Sequence, residues 1–286
     1  MKKGFFCIIL ILLLSLILPL SAPIVEGESG GEISLTVVMY HSLLKSKRGV
    51  YVLSPSALQE DIRGMKEKGF AFVSPEDLRK YAKGEKDLPY KCALITFDDG
   101  HYNNLLYALP VLKEEGVCAL VSVIGKFCQH STISGDSHNP NYSYLTWADL
   151  KVLQDSGFVE IGNHTYALHE FKPRFGVGRI KGESDSEYKK VFGADLDKLD
   201  SILEENGIKK PTAFAFPFGR YNRLAEEVLK ERGYCLSFTC CEGINKIEKG
   251  NLDSLFLLKR FNRNGNLSSS AFVEKVQGEF MKAMQK

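Results

Sequence analysis

Residues 92–100 read Cys-Ala-Leu-Ile-Thr-Phe-Asp-Asp-Gly, an apolar run that ends in two adjacent carboxylates and a glycine. The apolar part predicts a buried strand. Side chains alternate between the faces of a strand, but Asp98 and Asp99 can reach one cavity where the strand breaks into a turn that Gly100 relaxes. One acid could then bind a metal ion while the other transfers a proton. Because Asp-Asp-Gly is also an ordinary turn signal, other residues must decide between these interpretations.

Residues 159–163, Val-Glu-Ile-Gly-Asn, predict a second short strand, which is followed by His164 and His169. Two neutral histidines and one carboxylate would leave a coordination position open on a zinc-like ion, as a catalytic metal site requires. Residues five apart on an α-helix lie about 140° apart around its axis, so a regular helix cannot aim both rings at one ion. The spacing therefore predicts a metal site on a loop or a π-type turn. A surface or core role for each histidine is the alternative.

With these motifs, residues 33–261 resemble the polysaccharide deacetylases, the NodB-like domains of the family-four carbohydrate esterases. The resemblance implies that Asp98 is a catalytic base. It also implies that Asp99, His164 and His169 bind one divalent metal ion, with zinc expected and cobalt or nickel as alternatives. The segment between the two histidines is one residue longer than in the usual family motif. That longer form is similar to the branch containing the poly-N-acetylglucosamine deacetylases, in which the order of the conserved segments is permuted.

The resemblance also requires a proton donor, which ordinary members of the family take from a histidine on a late strand. Residues 255–261 form the late apolar run of this chain and contain no histidine. The amino-terminal run at residues 35–40 is followed by His41 and is similar to the relocated segment of the permuted branch. We therefore expect His41 to be the general acid, a task that suits imidazole because its pKa lies near neutrality. A histidine that caps a strand in a polar loop is the alternative.

The third family segment, usually Arg-x-Pro-Tyr-Gly, reads Ala-Phe-Pro-Phe-Gly at residues 215–219. Ala215 replaces the arginine that would orient the base. Arg220 or Arg260 could supply a guanidinium from another direction, and both alternatives stay open. The resemblance implies that the backbone N–H of Phe218 stabilises the oxyanion, a role that does not depend on the side chain. Packing of the Phe218 ring in the core is the alternative.

Strand-like and helix-like segments alternate along the chain, which predicts a parallel sheet. Strands are predicted near residues 33–40, 70–73, 92–97, 117–124, 158–162, 212–216, 234–239 and 255–260. Helices are predicted at residues 55–68, from 75 onward, and at 105–115, 146–155, 186–205, 222–232 and 269–283. About seven such units without a GxGxxG fingerprint favour a distorted (β/α)7–8 barrel of the polysaccharide deacetylase type, in a single domain, over a Rossmann sheet. Such barrels carry their catalytic residues at the carboxyl ends of the strands. Residues 129–144 and 171–185 are expected to be polar loops that wall a groove.

Residues 1–22 predict a signal peptide or a membrane anchor. Two lysines precede an apolar stretch at residues 5–18, and Ala22 ends a small-residue cleavage site. The stretch is shorter than the roughly 20 residues that a spanning helix needs, which favours cleavage. We assign residues 23–32 to a linker and residues 33–286 to the catalytic domain. The protein is therefore expected to be secreted or extracytoplasmic.

The net charge of the 286-residue chain is +2 at pH 7, and its lysines and glutamates are mixed rather than clustered. This composition argues against nucleic acid or a strongly acidic substrate as a partner and is compatible with a neutral glycan. Cys92, Cys118 and Cys235 fall in apolar runs, where cysteine behaves as a small hydrophobe, and no CxxC motif is present. We infer no disulfide framework and expect a monomer.

The resemblance implies metal-assisted removal of N-acetyl groups from an extracellular or cell-wall N-acetylhexosamine polysaccharide, with release of acetate. Aromatic residues near the predicted strand ends are candidate stacking surfaces for sugar rings, with rim packing as the alternative: Trp147, Tyr102, Tyr166 and Tyr221. Because the motif arginine and the late histidine are missing, a catalytically silent glycan-binding module is a second hypothesis. An esterase that removes O-acetyl groups from a polysaccharide is a third.

Overall fold

The computed structural model describes residues 31–135 and 138–285. The predicted export segment at residues 1–22 and nearly all of the predicted linker lie outside the described residues. Within the described part of the chain, none of the helices combines the length and the apolar character needed to cross a membrane.

Strands and helices alternate through most of the described chain. The strands are β1 (Glu32–Tyr40), β2 (Ser42–Leu43), β3 (Val52–Leu53), β4 (Ala71–Phe72), β5 (Lys91–Phe97), β6 (Ala119–Val123), β7 (Val159–Asn163), β8 (Ala213–Ala215), β9 (Leu236–Phe238), β10 (Asn245–Glu248) and β11 (Phe261–Asn262). The helices are α1 (Pro55–Glu67), α2 (Pro75–Ala82), α3 (Leu109–Glu115), α4 (Gly125–Ser134), α5 (Trp147–Asp155), α6 (Asp185–Glu205), α7 (Arg223–Glu231) and α8 (Ser269–Met284). A π-helical segment, Asn104–Ala108, leads into α3.

The main sheet runs in the order β1-β5-β6-β7-β8-β9, with these strands parallel to one another. β1 and β5 pair in a register that ends at Tyr40 opposite Phe97. The next residues, His41 and Asp98, therefore emerge side by side from adjacent strands. The Asp98 N–H also donates a hydrogen bond of 3.0 Å to the Tyr40 carbonyl. The sheet thus brings the amino-terminal histidine to the edge that carries the paired acids.

Residues 258–262 connect the last parallel strand to the first. Leu258 forms an isolated parallel bridge with Phe238, and β11 pairs in parallel with the end of β1. β10 lies antiparallel against the first half of β1. The sheet therefore curls around into a distorted barrel within a single domain, which confirms the predicted fold class.

The two faces of the sheet are both apolar. Ile33, Leu35 and Val37 of β1 pack inside the barrel with apolar side chains of β5, β6, β8 and β9. Val38 and Tyr40 belong to a second cluster that includes buried residues of α1, α5 and α8 outside the sheet. This burial on both faces explains why the parallel strands read as continuous apolar runs in the sequence.

The helix starts at Ser54 and Ser74 are confirmed. Each serine side chain accepts a hydrogen bond from the third residue after it, and proline occupies the first helical turn. At Ser74 the backbone N–H donates a hydrogen bond to the carboxylate of Asp77, which completes a capping box. These local hydrogen bonds explain why sequence signals located α1 and α2 closely.

Three details of the predicted element pattern were wrong. The strand expected at residues 255–260 is interrupted, because Leu257 adopts a left-handed φ of 56° and regular pairing resumes only at β11. Part of the loop expected at residues 129–144 is α4, which begins without a side-chain cap and so gave no start signal. The antiparallel strand β10 was not predicted.

Candidate active site

Asp99, His164 and His169 meet at the carboxyl edge of the sheet. The Nε2 atoms of both histidines lie 3.6 Å from Asp99 Oδ1. One potential ligand atom from each of the three residues lies within 4.8 Å of the others. Two ligand atoms at zinc-like distances of about 2.1 Å, in tetrahedral geometry, would be about 3.4 Å apart. The spacing of this cluster therefore fits coordination of one divalent ion.

A hydrogen bond sets the orientation of the His164 ring. Its Nδ1 lies 2.7 Å from the carbonyl oxygen of Ala215. Because a carbonyl only accepts, Nδ1 donates this hydrogen bond, and Nε2 is the ring atom that faces Asp99. Position 215 lacks the arginine of the usual motif, but its backbone orients a candidate ligand histidine.

The protonation state of His169 suits a metal ligand. Burial, reinforced by the neighbouring His164, lowers the pKa of His169 to about 4. The imidazole is therefore neutral at pH 7, and a neutral imidazole is the form that coordinates a metal ion. For Asp99, burial acts to raise the pKa, but His101, His41 and His164 outweigh it and hold that pKa well below its usual value. The Asp99 carboxylate is therefore ionised.

Several residues of the candidate site adopt left-handed backbone conformations. Asp99, Thr165 and Phe218 have φ values of 73°, 74° and 57°. Such values are uncommon for residues other than glycine and concentrate at functional sites. The conformation of Asp99 itself, continued by Gly100 at 77°, lets two consecutive carboxylates enter one cavity. The turn was predicted with Gly100 as the residue that relaxes the backbone, and the left-handed conformation of Asp99 was not predicted.

The segment between the two histidines is a loop held from two sides. The carboxylate of Asp195 on α6 accepts hydrogen bonds of 2.7 and 2.8 Å from the N–H groups of Tyr166 and Ala167. The N–H of Gly125, at the start of α4, donates to the Thr165 carbonyl. A Cβ atom at Gly125 would lie 2.6 Å from the Tyr166 ring, so this close approach requires glycine. The loop explains how residues five apart face one point.

Asp98 is paired with Arg260. The guanidinium donates two hydrogen bonds, of 2.8 and 2.7 Å, to the two carboxylate oxygens. Burial alone would raise the pKa of Asp98, but Arg260 and His164 hold it below its usual value. Arg260 thus takes the place of the missing motif arginine, whereas Arg220 lies over the Phe175 ring. The alternative between the two arginines is resolved in favour of Arg260.

His41 lies at the end of β1, next to Asp98. Its ring centroid is 4.7 Å from that of Tyr51, and its carbonyl accepts a hydrogen bond of 2.8 Å from Asn104 Nδ2. Burial lowers the pKa of His41, while the negative charges of Asp99 and Asp98 act in the opposite direction. The structure therefore brings His41 to the site, and its role as a proton donor stays a prediction.

Phe218 also lies beside the three candidate metal ligands. Its ring centroid is 4.4 Å from that of His169, and its left-handed backbone follows directly after β8. This placement is compatible with an oxyanion role for the Phe218 N–H, which stays a prediction.

The aromatic residues proposed as sugar platforms differ in their surroundings. Trp147 is only 4% exposed, and its Nε1–H donates to Gln129, so its ring packs in the core and offers no open face to a sugar. This burial removes Trp147 from the candidates. The Tyr102 ring stacks on His138, and the Tyr166 ring lies under Lys198. Tyr221 keeps 44% of its surface exposed, and the roles of these three tyrosines stay predictions.

Sequence reasoning missed His101, Phe171 and Phe175. The Nε2 atom of His101 lies 3.5 Å from Asp99 Oδ2, and its ring stacks on Tyr144 at 5.1 Å. The position of a histidine two residues after Asp99 was a signal that could have identified it. The two phenylalanines lie in the loop at residues 171–185, where no local pattern indicates which side chains turn toward the site.

The model of the family described as "Polysaccharide deacetylase" matches residues 85–236, more than half of the chain. The chain therefore belongs to the polysaccharide deacetylase family. A poly-beta-1,6-N-acetyl-D-glucosamine N-deacetylase from Escherichia coli K12 is 26% identical over 218 residues. The match covers 70% of this chain but only 32% of that relative, about a third of its length. An enzyme of the same name from Staphylococcus epidermidis is 25% identical over 203 residues, which cover 70% of this chain and 66% of the relative.

Two solved structures show the same fold. IcaB from Ammonifex degensii has 25% sequence identity and a TM-score of 0.68, and the match covers 86% of this chain and 97% of that one. A de-N-acetylase from Aggregatibacter actinomycetemcomitans has 22% identity and a TM-score of 0.69, with 85% and 99% of the two chains covered. The similarity extends over nearly the whole of both solved chains, so the described barrel corresponds to the fold of those two chains.

Proposed function

We propose that this protein is a metal-dependent hydrolase that removes N-acetyl groups from an extracellular or cell-wall N-acetylglucosamine polysaccharide. The observation that carries the proposal is the arrangement around the three-ligand cluster. An ionised, arginine-paired carboxylate, Asp98, and a histidine, His41, emerge from adjacent strands at the edge where that cluster lies. Base, acid and metal ligands are the groups that hydrolysis of an amide requires.

Asp98 is the base in this proposal. Its carboxylate accepts a proton from the water molecule that attacks the acetyl carbonyl carbon. Arg260 keeps the carboxylate ionised and fixed in direction through its two hydrogen bonds. Because Asp98 is 2% exposed, few water molecules compete for its oxygens. The carboxylate is therefore ready to take a proton at neutral pH.

Asp99, His164 and His169 would hold the divalent ion, with zinc as the expected metal. When bound, such an ion supplies Lewis-acid chemistry, which polarises a carbonyl group and makes water more acidic. The Phe218 N–H would donate a hydrogen bond to the oxygen that becomes negative as water adds to the carbonyl. His41, in the protonated form that the nearby charges of Asp99 and Asp98 favour, would then donate its proton to the sugar nitrogen as the C–N bond breaks, which yields acetate and a free amine.

The two motif residues that the chain lacks have substitutes. Arg260 occupies the place of the motif arginine next to Asp98, and His41 stands at the end of the first strand instead of on a late strand. These substitutes weaken the reason for considering a silent glycan-binding module. An O-acetyl esterase would use the same groups, so substrate comparison must separate it from the amidase.

The substrate and the location are further parts of the proposal. Relatives named as deacetylases of poly-beta-1,6-N-acetyl-D-glucosamine favour that polymer as the first substrate to test. The apolar amino-terminal segment favours a secreted or extracytoplasmic protein, either cleaved or anchored by that segment. A monomer is sufficient for the proposed chemistry, because all of its groups come from one chain.

The test is a panel assay with the full chain. Acetate release is measured from poly-β-1,6-N-acetylglucosamine, chitin oligomers, peptidoglycan and acetylated xylan, with and without a chelator. We expect release from the N-acetylglucosamine polymers, loss of release with the chelator, and little release from xylan. Activity on xylan alone would support the esterase, and absence of release from every substrate would support the silent module. The Asp98→Asn variant provides the background rate.

A further inference from the structure

Three phenylalanine rings stack on one another beside the metal cluster. The ring centroids of Phe171 and Phe218 are 4.6 Å apart, those of Phe175 and Phe218 are 4.9 Å apart, and those of Phe171 and Phe175 are 5.6 Å apart. The planes of each pair are within 27° of parallel. We call these three residues the aromatic platform.

The platform is continuous with the site. The Phe218 ring contacts the His169 ring at 4.4 Å, and Phe171 packs directly on Phe218. The Phe171 ring therefore lies two ring contacts away from a metal-ligand histidine. A polymer whose acetyl group reaches the metal cluster would carry its neighbouring sugar units past this surface.

Phe171 is 69% exposed, although most of the phenylalanines that the structure describes are buried. Phe218 and Phe175 cover part of its ring, and the remaining surface is open to solvent. A large apolar side chain that stays exposed beside a site, with its neighbours already stacked, indicates a surface for a ligand. Burial of that surface by a ligand would be favourable.

The loop that carries Phe171 is held in place rather than free. Arg174 forms an ion pair with Glu183, and the side chains of the two residues are 7% and 8% exposed. The Tyr188 hydroxyl donates a hydrogen bond of 2.8 Å to the Val177 carbonyl, and the Gly176 N–H donates to the Glu170 carbonyl. These contacts reduce the entropy that the loop would lose on binding a ligand.

A charged group lies at the edge of the apolar surface. The Arg220 guanidinium lies 4.9 Å from the Phe175 ring centroid. An apolar face with a charged rim matches a pyranose ring, which has a face of C–H groups and a rim of hydroxyl groups.

We infer that the aromatic platform is a sugar-binding subsite, in which Phe171 stacks on a pyranose ring next to the unit that is deacetylated. This inference rests on the proposed function, because it places the substrate chain relative to the metal cluster. Phe171 and Phe175 are binding residues in this assignment and take no part in the bond-breaking step. The platform sets the preference for polymers over single sugars.

Binding and turnover are measured separately to test the subsite. Affinity for an N-acetylglucosamine tetramer and for N-acetylglucosamine itself is measured by calorimetry with the metal-loaded full chain, in the Asp98→Asn background so that the ligand is not consumed. Adding Phe171→Ala should weaken tetramer binding roughly 10-fold, because the variant removes the apolar ring that the sugar would cover. Binding of the single sugar should change little, and Phe171→Trp should restore tetramer binding. Ile133→Ala, which truncates another exposed apolar residue, is the matched control.

The outcomes separate the subsite from the enzymatic function. Equal tetramer affinity with and without Phe171→Ala would overturn the subsite, even if the unmodified chain releases acetate. Equal weakening for the tetramer and the single sugar would also overturn it, because a local distortion of the site would then explain the loss. Phe171-dependent tetramer binding in a chain that releases no acetate would uphold the subsite and refute the hydrolase. Metal content per chain, unchanged by Phe171→Ala, shows that His169 keeps its place.

Discussion

Arg260 and Asp98 form a bidentate ion pair across the closure of the barrel, although 162 residues separate them in the chain. Their side chains are 0% and 3% exposed. The segment that carries Arg260 begins at the bridge to β9 and continues into β11 beside β1. Closure of the sheet therefore also completes the candidate site, since it delivers Arg260 to Asp98, the residue directly after β5.

Replacement of Arg260 by methionine should disturb both stability and catalysis. The change leaves the Asp98 carboxylate buried without a partner, which typically costs roughly 3–5 kcal/mol. The pKa of Asp98 should rise, because the charge that lowered it is gone. A base works only when ionised, so the acid limb of kcat/KM against pH should move to higher pH. Unfolding by urea and the pH profile measure the two effects.

Arg220→Met is the matched control for that variant. Arg220 also lies near the site, but it is exposed and its guanidinium lies over Phe175 rather than at Asp98. We expect the acid limb of the kcat/KM profile of Arg220→Met to lie at the same pH as in the unmodified chain. An equal shift of the limb in both variants would show that general electrostatics, and not the pairing of Arg260 with Asp98, sets the pKa of the base.

The two adjacent acids should give opposite results when they are changed. Asp99→Ala removes a ligand and should abolish binding of the divalent ion, whereas the unmodified chain should hold about one ion. Asp98→Asn keeps the ligands and should retain the ion while slowing hydrolysis by roughly 10² to 10⁴. Elemental analysis of the purified variants measures the metal. Loss of metal from Asp98→Asn, with retention in Asp99→Ala, would mean that the two roles are reversed.

The parts of the site that the sequence predicted are those encoded locally. Asp98 and Asp99 end a strand within one short motif, and His164 and His169 follow another, so strand recognition was enough to place them at one edge. The partner of Asp98 could not be chosen, because Arg260 reaches it only through closure of the barrel. Nothing near Arg220 or Arg260 in the sequence carries that information.

Trp147 shows a similar limit within one helix. The predicted helix at residues 146–155 is confirmed as α5, and the structure shows that a local capping box of Thr146 and Asp149 starts it. The direction of the Trp147 ring depends on packing against the core around it, which a start signal does not encode. Phe171 is the reverse case, since a loop of polar composition holds an exposed ring beside the site. Burial of aromatic residues was therefore the least predictable feature.

Asp200, a buried acid near the three candidate metal ligands, should make the stability of the fold depend on pH. Asp200 accepts hydrogen bonds of 2.6 Å from the Tyr234 hydroxyl and 3.2 Å from Asn163 Nδ2, directly before His164. Burial raises the pKa of Asp200 above its ordinary value of 3.8 despite these bonds. The folded state therefore holds this proton more tightly than the unfolded state does. The protonated Asp200 side chain therefore stabilises the folded state fully when the pH is below the ordinary pKa of an aspartate. This stabilisation is lost as the pH rises through the pKa that Asp200 has in the folded state.

Asp200→Asn should remove this pH dependence, because an amide does not titrate and can still accept the bond from Tyr234. The unfolding free energy of the unmodified chain, relative to the variant, should fall as the pH rises above about 4. Urea unfolding of the chelated protein at a series of pH values measures the difference. A difference that stays constant across the series would contradict the raised pKa of Asp200.

His41 and Asp98 emerge from adjacent strands, so the proposed acid and base face the substrate from neighbouring positions. If His41 protonates the leaving amine, His41→Ala should slow hydrolysis of an N-acetyl amide by roughly 10² to 10⁴. An activated acetate ester has a leaving group that needs no proton, so its hydrolysis should suffer much less. A change in the ratio of amide to ester rates therefore indicates loss of the proton donor, whereas general damage to the site would slow both reactions.

Tyr51→Ala is the control for His41→Ala, because it removes the ring that packs on His41 but leaves the imidazole itself in place. We expect Tyr51→Ala to leave the ratio of amide to ester rates near that of the unmodified chain. Metal content should be unchanged in both variants, since neither residue belongs to the ligand cluster. Equal slowing of amide and ester hydrolysis by His41→Ala would refute the role of His41. The acid would then have to be sought among the other titratable groups near the cluster, such as His101, whose Nε2 atom lies 3.5 Å from Asp99 Oδ2.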